Sequence, residues 1–350
     1  MAWRGVIREY WDRLPIKDDK AVVTLLEGNT PVIPARCLPD LIGKKIKAYY
    51  KFEGLNPTGS FKDRGMTVAV SRAKEEGSQA IICASTGNTS ASAAAYAARA
   101  GLRAYVIIPE GKIARGKLSQ AMAAGSRVIQ VHGNFDQALK IVREISDKYP
   151  ITMVNSLNPY RIEGQKTASF EICDILENVP DIHCLPVGNA GNITAYWLGY
   201  TEYYKDGIIK KRPKMWGFQA AGAAPIVLGR PVPNPETFAT AIRIGNPASW
   251  KRAEAARDES GGMIDMVTDE EIFEAYRFIA GKEGIFCEPA SAAGVAGLYK
   301  HRDKVEDGMT IVLTLTGHGL KDPDTAIDRL TADTVCIPPD IESVKKELGF

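Results

Sequence analysis

Histidine and cysteine are scarce in this sequence, with four of the one and six of the other among 350 residues. The cysteines, Cys37, Cys83, Cys173, Cys184, Cys287 and Cys336, are widely spaced. They form no CxxC pair and have no histidine at zinc-finger distance, which argues for buried free thiols in a reducing compartment rather than a metal site or disulfide framework. No His/Cys/Asp/Glu cluster has metal-ligand spacing and no GxSxG elbow occurs. His132, His183, His301 and His318 are too few to single out a Ser-His-Asp arrangement, so metal and serine-hydrolase chemistry are disfavoured. Net charge is nearly absent too: +2, with the basic residues scattered. That leaves no electrostatic footprint for nucleic acid or a membrane surface. No apolar run reaches the roughly 20 residues that a membrane span needs. Trp3, Arg8, Asp12 and Asp18 interrupt the opening segment where a signal peptide requires an unbroken apolar stretch. These absences predict a soluble, cytoplasmic protein.

What is present is an ordinary globular composition, 45% hydrophobic and 25% charged, long enough for one large or two smaller domains. From about residue 45, short β-branched and aromatic runs alternate with longer segments of helical period, the pattern of an α/β protein. Strands are expected at Lys47 to Phe52, Ala80 to Ala84, Arg103 to Ile108, Arg127 to Val131, Ile182 to Val187, Met215 to Gln219 and Thr310 to Leu315. Helices are expected at Gly65 to Glu76, Ser90 to Ala100, Lys117 to Ala124, Phe135 to Lys148, Arg161 to Leu176, Ile193 to Tyr204, Asp269 to Ala280 and Pro289 to His301. The run from Ala80 to Val131 reads as a compact parallel unit with right-handed crossovers. Gly222 to Ser249, with five prolines, reads as a long surface or lid segment.

Five motifs sit at strand ends or helix entries. Asn56-Pro57-Thr58-Gly59-Ser60-Phe61-Lys62-Asp63-Arg64 follows a strand and opens a helix. A cation is disfavoured at that helix end, so the amine of Lys62 is expected to titrate low, as a lysine that attacks a carbonyl requires. The plainer alternative is a snorkelling surface lysine. Ser85-Thr86-Gly87-Asn88-Thr89-Ser90 offers hydroxyls and free backbone N–H groups to an anion such as a substrate carboxylate, or else is an N-cap cluster. In Gly188-Asn189-Ala190-Gly191-Asn192 two glycines let the backbone turn successive N–H groups toward a phosphate; the spacing matches neither GxGxxG nor the Walker loop. Leu315-Thr316-Gly317-His318-Gly319 lies at the carboxyl end of a strand, where ligands of open sheets gather, and His318 there is at least as much a turn residue as an acid or base. Asn155-Ser156-Leu157-Asn158-Pro159-Tyr160-Arg161 offers a guanidinium fork for phosphate or carboxylate, or a surface ion-pair partner.

Taken in order with Leu26-Glu27-Gly28-Asn29-Thr30-Pro31, these segments resemble the threonine synthase family of the tryptophan-synthase-like pyridoxal-phosphate enzymes, over essentially the whole chain. The resemblance implies fold type II: two open, twisted, mainly parallel sheets wrapped by helices, as in the tryptophan synthase β-subunit. It implies a large cofactor domain from residues 1–55 and 156–350, a small domain from 56–155 and an active site in the cleft between them. It also implies pyridoxal 5'-phosphate as cofactor, held by Lys62 as a Schiff base. Asn88 would meet the ring hydroxyl, Gly188, Asn189, Ala190, Gly191 and Asn192 the phosphate, and Thr316 the pyridine nitrogen, where a neutral hydroxyl would leave the ring less firmly protonated. Ser85, Thr86 and Thr89 would grip the substrate α-carboxylate, and Asn155, Ser156 and Arg161 its phosphate.

The reaction implied is O-phospho-L-homoserine plus water to L-threonine plus phosphate, by γ-elimination and β-addition. A related lyase, such as a cysteate synthase or threonine dehydratase, is the alternative, and a non-catalytic binding protein with the same fold is a further one. A homodimer is expected, with a small-molecule substrate and no nucleic-acid or membrane partner. Plant members respond to S-adenosylmethionine through a longer N-terminal extension. Here about 20 residues precede the first strand-like run, so that regulation is not expected.

Overall fold

The computed structural model describes residues 2–110, 115–330 and 334–350. Among the described residues ten strands form two sheets: β1 Val32–Pro34, β2 Lys47–Phe52, β3 Ala80–Ala84, β4 Arg103–Pro109, β5 Arg127–Val131, β6 Ile151–Met153, β7 Ile182–Pro186, β8 Lys214–Ala220, β9 Met263–Val267 and β10 Thr310–Leu315. The larger sheet has the order β1-β2-β10-β7-β8-β9 and the smaller one β5-β4-β3-β6. Every pairing is parallel except β1 with β2. Parallel strands need long crossovers, and the helices that supply them cover the sheets, which is why β3 and β7 are buried along their whole length and read as nearly continuous apolar runs.

The larger sheet has a core on each face. On one side Tyr50, Trp216, Phe218, Ile311 and Leu313 pack with residues of the helices Asp269–Glu283 and Ala293–Lys300. On the other, Leu185, Val187 and Val312 pack with Phe170, Tyr196 and Tyr200 of the helices Pro159–Leu176 and Gly191–Lys205. Around the smaller sheet, Ile81, Cys83, Val106 and Ile108 pack with Met66, Ala69 and Ala73 of the helix Lys62–Glu75 and with Ala93, Tyr96 and Ala97 of the helix Asn88–Ala100.

Several sequence expectations need correction. The helix that was to begin at Gly65 begins at Lys62 itself. The expected helix Pro289 to His301 is a 3-10 turn, Pro289–Ala292, followed by a helix Ala293–Lys300. The parallel unit from Ala80 to Val131 gains a fourth strand, β6, on the far side of β3. Gly222 to Ser249 carries only short helical turns, as its prolines dictate, yet it is packed rather than draped: Ala223, Ala224, Ile226, Ala239 and Ile242 are buried, and the Val232 amide donates to the Gly245 carbonyl at 2.9 Å. All six cysteines are free, and Cys83, Cys173, Cys184 and Cys287 are buried, but Cys37 is half-buried and Cys336 exposed.

Candidate active site

The site is built where the carboxyl ends of β10 and β7 meet the start of the helix Lys62–Glu75. Register pairs Leu313 with Cys184, so Thr316 stands level with Val187, one residue before the Gly188 turn. Neighbouring strands lie under about 5 Å apart, which places the two turns side by side. Backbone bonds stitch the Lys62 turn to the end of β10: the Phe61 amide donates to the Thr316 carbonyl at 3.0 Å, and the His318 amide to the Gly59 carbonyl at 2.9 Å. Gly59, at φ 83, supplies the left-handed residue that this turn needs.

Lys62 is partly buried, and its Nζ stands 4.1 Å from the centre of the Phe61 ring. Burial, and next the Arg161 guanidinium, push its amine down to about 7, against a smaller opposing effect of Glu288. The expectation of a low-titrating lysine therefore acquires two causes beyond the helix end. Arg161 is no surface residue: it is buried, and its Nη1 donates to the Val154 carbonyl at 2.7 Å. It approaches Lys62 because the helices Lys62–Glu75 and Pro159–Leu176 cross at glycines. A Cβ on Gly65 would lie 2.6 Å from the Arg161 carbonyl oxygen, and one on Gly164 1.9 Å from that of Arg64.

Next to Lys62, Asp63 is buried and accepts from the Thr58 amide at 2.7 Å, the Thr58 hydroxyl at 2.6 Å and the Ser92 hydroxyl at 2.6 Å. Burial still raises its carboxyl to about 6. Arg64 turns the other way, into a buried group with Glu53, Glu171 and Lys51. Both flanking residues thus fix the backbone that presents Lys62. Neither had a local signal beyond its place in the motif.

Glu288 was missed by sequence reasoning. It is buried, accepts from Asn88 Nδ2 at 2.8 Å and from the Thr316 hydroxyl at 2.9 Å, and so ties the two residues expected at opposite edges of the cofactor ring. Burial raises its carboxyl; the bonds from Asn88 and Thr316 and the charges of Lys321 and Lys62 oppose that. His318 is a turn residue: Nδ1 accepts from the Leu320 amide at 3.1 Å, and the ring lies near Phe52 and Phe286.

Three helices enter this region without a side-chain cap, those beginning at Lys62, Asn88 and Gly191. Asn158 caps the helix that carries Arg161, and Asn134, Thr268 and Asp340 cap helices elsewhere, while the helices Trp250–Glu259 and Ala293–Lys300 also lack a side-chain cap. Uncapped starts leave N–H groups for an anion. At Gly188–Asn192 the cradle is tight: Ala190 adopts the left-handed conformation at φ 63, and a Cβ on Gly188 would meet Ile242 Cα at 3.1 Å. Asn189 is held from behind, accepting from the Ala248 and Ser249 amides at 3.3 and 3.1 Å, and Asn192 Oδ1 is buried without a partner.

The second anion turn follows β3. The Ser85 hydroxyl accepts from the Gly87 amide at 3.2 Å, while the hydroxyls of Thr86, Thr89 and Ser156 bond to no other described residue. Asn155 closes on Ala84 with both ends of its amide, accepting from the Ala84 amide at 3.0 Å and donating to the Ala84 carbonyl at 2.9 Å. That pair holds the Ser85 turn in place and spends most of the side chain's bonding capacity. Among the described residues no group of His, Cys, Asp and Glu could hold a metal ion, and no helix is long and apolar enough to cross a membrane.

A lysine amine held near neutrality, an uncapped glycine cradle and a buried hydroxyl-carboxylate pair match the needs of pyridoxal phosphate: an imine-forming amine, a phosphate nest and polar contacts for the ring. The pyridoxal-phosphate dependent enzyme family matches residues 23–317. Among curated relatives, threonine synthase of Synechocystis sp. is 60% identical over 349 residues, 99% of this chain and 91% of that one. Threonine synthase of Mycobacterium tuberculosis is 58% identical over 351 residues, covering 99% and 97%. The chain therefore belongs to the threonine synthase family within the pyridoxal-phosphate dependent enzymes. Solved structures agree on the fold. Maize serine racemase superposes with a TM-score of 0.76 at 20% identity over 92% of this chain and 95% of that one, and tomato threonine deaminase with 0.75 at 21% over 94% of each.

Proposed function

We propose that the residues gathered around Lys62 carry out the threonine synthase reaction, O-phospho-L-homoserine and water to L-threonine and phosphate. The observation that carries this is the Lys62 amine, lowered to about 7 by burial and Arg161. At neutral pH such an amine is present both as free base and as acid, which suits a group that must first capture a carbonyl and then take and return protons. Bound pyridoxal phosphate supplies the electron sink that makes proton removal next to the substrate's amino group feasible.

The chain's own residues do the rest. Lys62 moves protons at the α and β carbons from one side. Asn88 and Thr316 hold the ring edges. The uncapped turn Gly188, Asn189, Ala190, Gly191 and Asn192 holds the cofactor phosphate. Ser85, Thr86 and Thr89, at the uncapped start of the helix Asn88–Ala100, bind the α-carboxylate. Ser156 and Arg161 bind the substrate phosphate, with Asn155 holding their segment against Ala84. The departing phosphate then leaves from beside a fixed cation, which favours the bond cleavage.

Residues 56–155 form the smaller domain and residues 1–55 with 156–350 the larger, a division supported by the four-stranded sheet lying wholly between Ala80 and Met153. A homodimer acting in the cytoplasm completes the proposal, and free cysteines suit a reducing compartment. The deciding experiment is release of phosphate with formation of threonine from O-phosphohomoserine, with phosphoserine and threonine as alternative substrates. Loss of product in Lys62→Ala is expected. Turnover of phosphoserine or threonine in preference to O-phosphohomoserine would replace this function with a related lyase.

A further inference from the structure

The two helices that open beside the site, Lys62–Glu75 and Asn88–Ala100, meet through mostly small apolar side chains, Met66, Ala69 and Ala73 of the first with Ala93, Tyr96 and Ala97 of the second. Such contact is non-directional, so it fixes the separation of the helices better than their register. One polar contact is directional. Oδ1 of Asp63 stands 2.6 Å from the Ser92 hydroxyl of the second helix and 2.6 Å from the Thr58 hydroxyl in the turn before Lys62, and Oδ2 accepts from the Thr58 amide at 2.7 Å. All three side chains are buried. Among the described residues, the bond from Asp63 to Ser92 is the only side-chain hydrogen bond between these two helices. Both hydroxyl contacts survive whether Asp63 is ionised or protonated, because a hydroxyl can donate or accept and a protonated Oδ1 can do both.

An alanine-rich helix has no local need of a serine at position 92, where alanine is the better helix former. Ser92 stands three residues after Thr89 and four after Asn88, on the same face of the helix, with its side chain leaning toward the helix start. That start is continuous with the turn before it, since the Ser90 hydroxyl donates to the Gly87 carbonyl at 2.8 Å. Asn155 holds the turn to Ala84, which ties it to its own strand and leaves its distance from Lys62 open. An amino acid carries its carboxylate and its amino group on one carbon, so the turn that grips the first and the lysine that the second displaces must stand at one set spacing. We infer that Asp63 is a positioning residue: by holding Ser92 against the Lys62 turn, it sets the spacing between the α-carboxylate grip of Ser85, Thr86 and Thr89 and the Lys62 amine. This rests on the proposed role of that grip.

The test compares two ligands on the enzyme loaded with pyridoxal phosphate: L-threonine, and 1-aminopropan-2-ol, which is threonine without its carboxylate. The affinity of each is read from the change in cofactor absorbance, and their ratio cancels any change in the cofactor itself. Wild type is expected to prefer threonine. Ser92→Ala suits the helix and cuts only this tie, and its preference should fall about tenfold, short of the ~100-fold that a 1 Å misplacement can cost. Ser92→Thr keeps the hydroxyl and should keep the preference. A paired Thr86→Val and Thr89→Val protein tests the grip by itself. If that protein loses the preference while Ser92→Ala stays within about twofold of wild type, the inference is overturned and the grip stands. If the paired variant keeps the preference, the grip falls and the inference with it. A Ser92→Thr protein that behaves as Ser92→Ala overturns the inference as well, because the hydroxyl is then not what holds the spacing.

Discussion

Arg64 and Glu171 form a two-pronged, buried ion pair: Nη1 donates to Oε1 at 2.6 Å and Nη2 to Oε2 at 2.7 Å. The same guanidinium reaches Glu53 from Nε at 2.6 Å and from Nη2 at 2.8 Å, and Lys51 balances the second carboxylate at 2.7 Å from Glu171. Two cations and two anions therefore share one buried site, two residues along the helix from Lys62. Removing one partner leaves a buried charge exposed to low dielectric, at a cost of about 3–5 kcal/mol. Arg64→Ala is expected to lose stability on that scale by denaturant titration. A loss under about 1 kcal/mol would show that the group is far wetter than its burial implies.

The same site sets an acid limit. Burial alone would raise the Glu171 carboxyl, but Arg64 and Lys51 outweigh it and hold it at about 2. A free glutamate titrates near 4.3. For an acid depressed in the folded state, the stabilisation is present above the unfolded value and lost as pH falls through the folded one. Stability contributed by Glu171 should thus be complete above about pH 5 and decline toward pH 2. Comparison with Glu171→Gln isolates it from Asp63, whose raised carboxyl has the opposite sign. The gap between the two proteins should narrow as the solution is acidified; a constant gap would contradict the pairing.

Lys62 offers a titration in the other direction. With the amine near 7, covalent capture of pyridoxal phosphate by the cofactor-free protein should accelerate as pH rises through that value, because only the neutral amine attacks. Arg161→Gln removes the cation that helps to lower it, so the midpoint should move to higher pH. Initial capture rates read from cofactor absorbance test both statements. A wild-type midpoint near 10, the ordinary lysine value, would remove the basis for the proposed function.

Much of this architecture is written locally. Lys47–Phe52, Ala80–Ala84, Arg127–Val131 and Thr310–Leu315 match their expected limits because each is a β-rich run ending at a helix or turn signal. The strands not foreseen are those whose pattern is weak. β1 is three residues ending at a proline on a sheet edge, β6 is three residues long, and β9 puts Asp265 among Met263, Ile264 and Met266 on the opposite edge. The site divides the same way. Gly188–Asn192 and Ser85–Thr89 are recognisable because small residues cluster between a strand and a helix. Glu288 is not, because its partners lie 200 and 28 positions away and a lone glutamate before Pro289 reads as surface. The bonds of Asn155 to Ala84 were not legible either, since they exist only once β3 and β6 lie side by side.

The crossing of the helices that carry Lys62 and Arg161 makes the sharpest mutational prediction. A Cβ on Gly164 would meet three backbone atoms, the carbonyl oxygen and carbon of Arg64 and Cα of Gly65, at 1.9, 2.7 and 2.8 Å, and backbone cannot rotate away as a side chain can. Gly164→Ala must therefore push the helices apart, at the ~1–3 kcal/mol or more that overpacking costs. Helix propensity opposes this by about 1 kcal/mol. Gly281→Ala isolates that second effect: Gly281 lies in the helix Asp269–Glu283 with nothing within 4 Å of its Cβ position. It should stabilise the protein while Gly164→Ala destabilises it. Separation of the helices should also carry Arg161 away from Lys62 and raise the midpoint for cofactor capture, a change that Gly281→Ala should leave alone. If Gly164→Ala unfolds no more readily than wild type and captures cofactor with the same midpoint, the close crossing does not set the amine of Lys62.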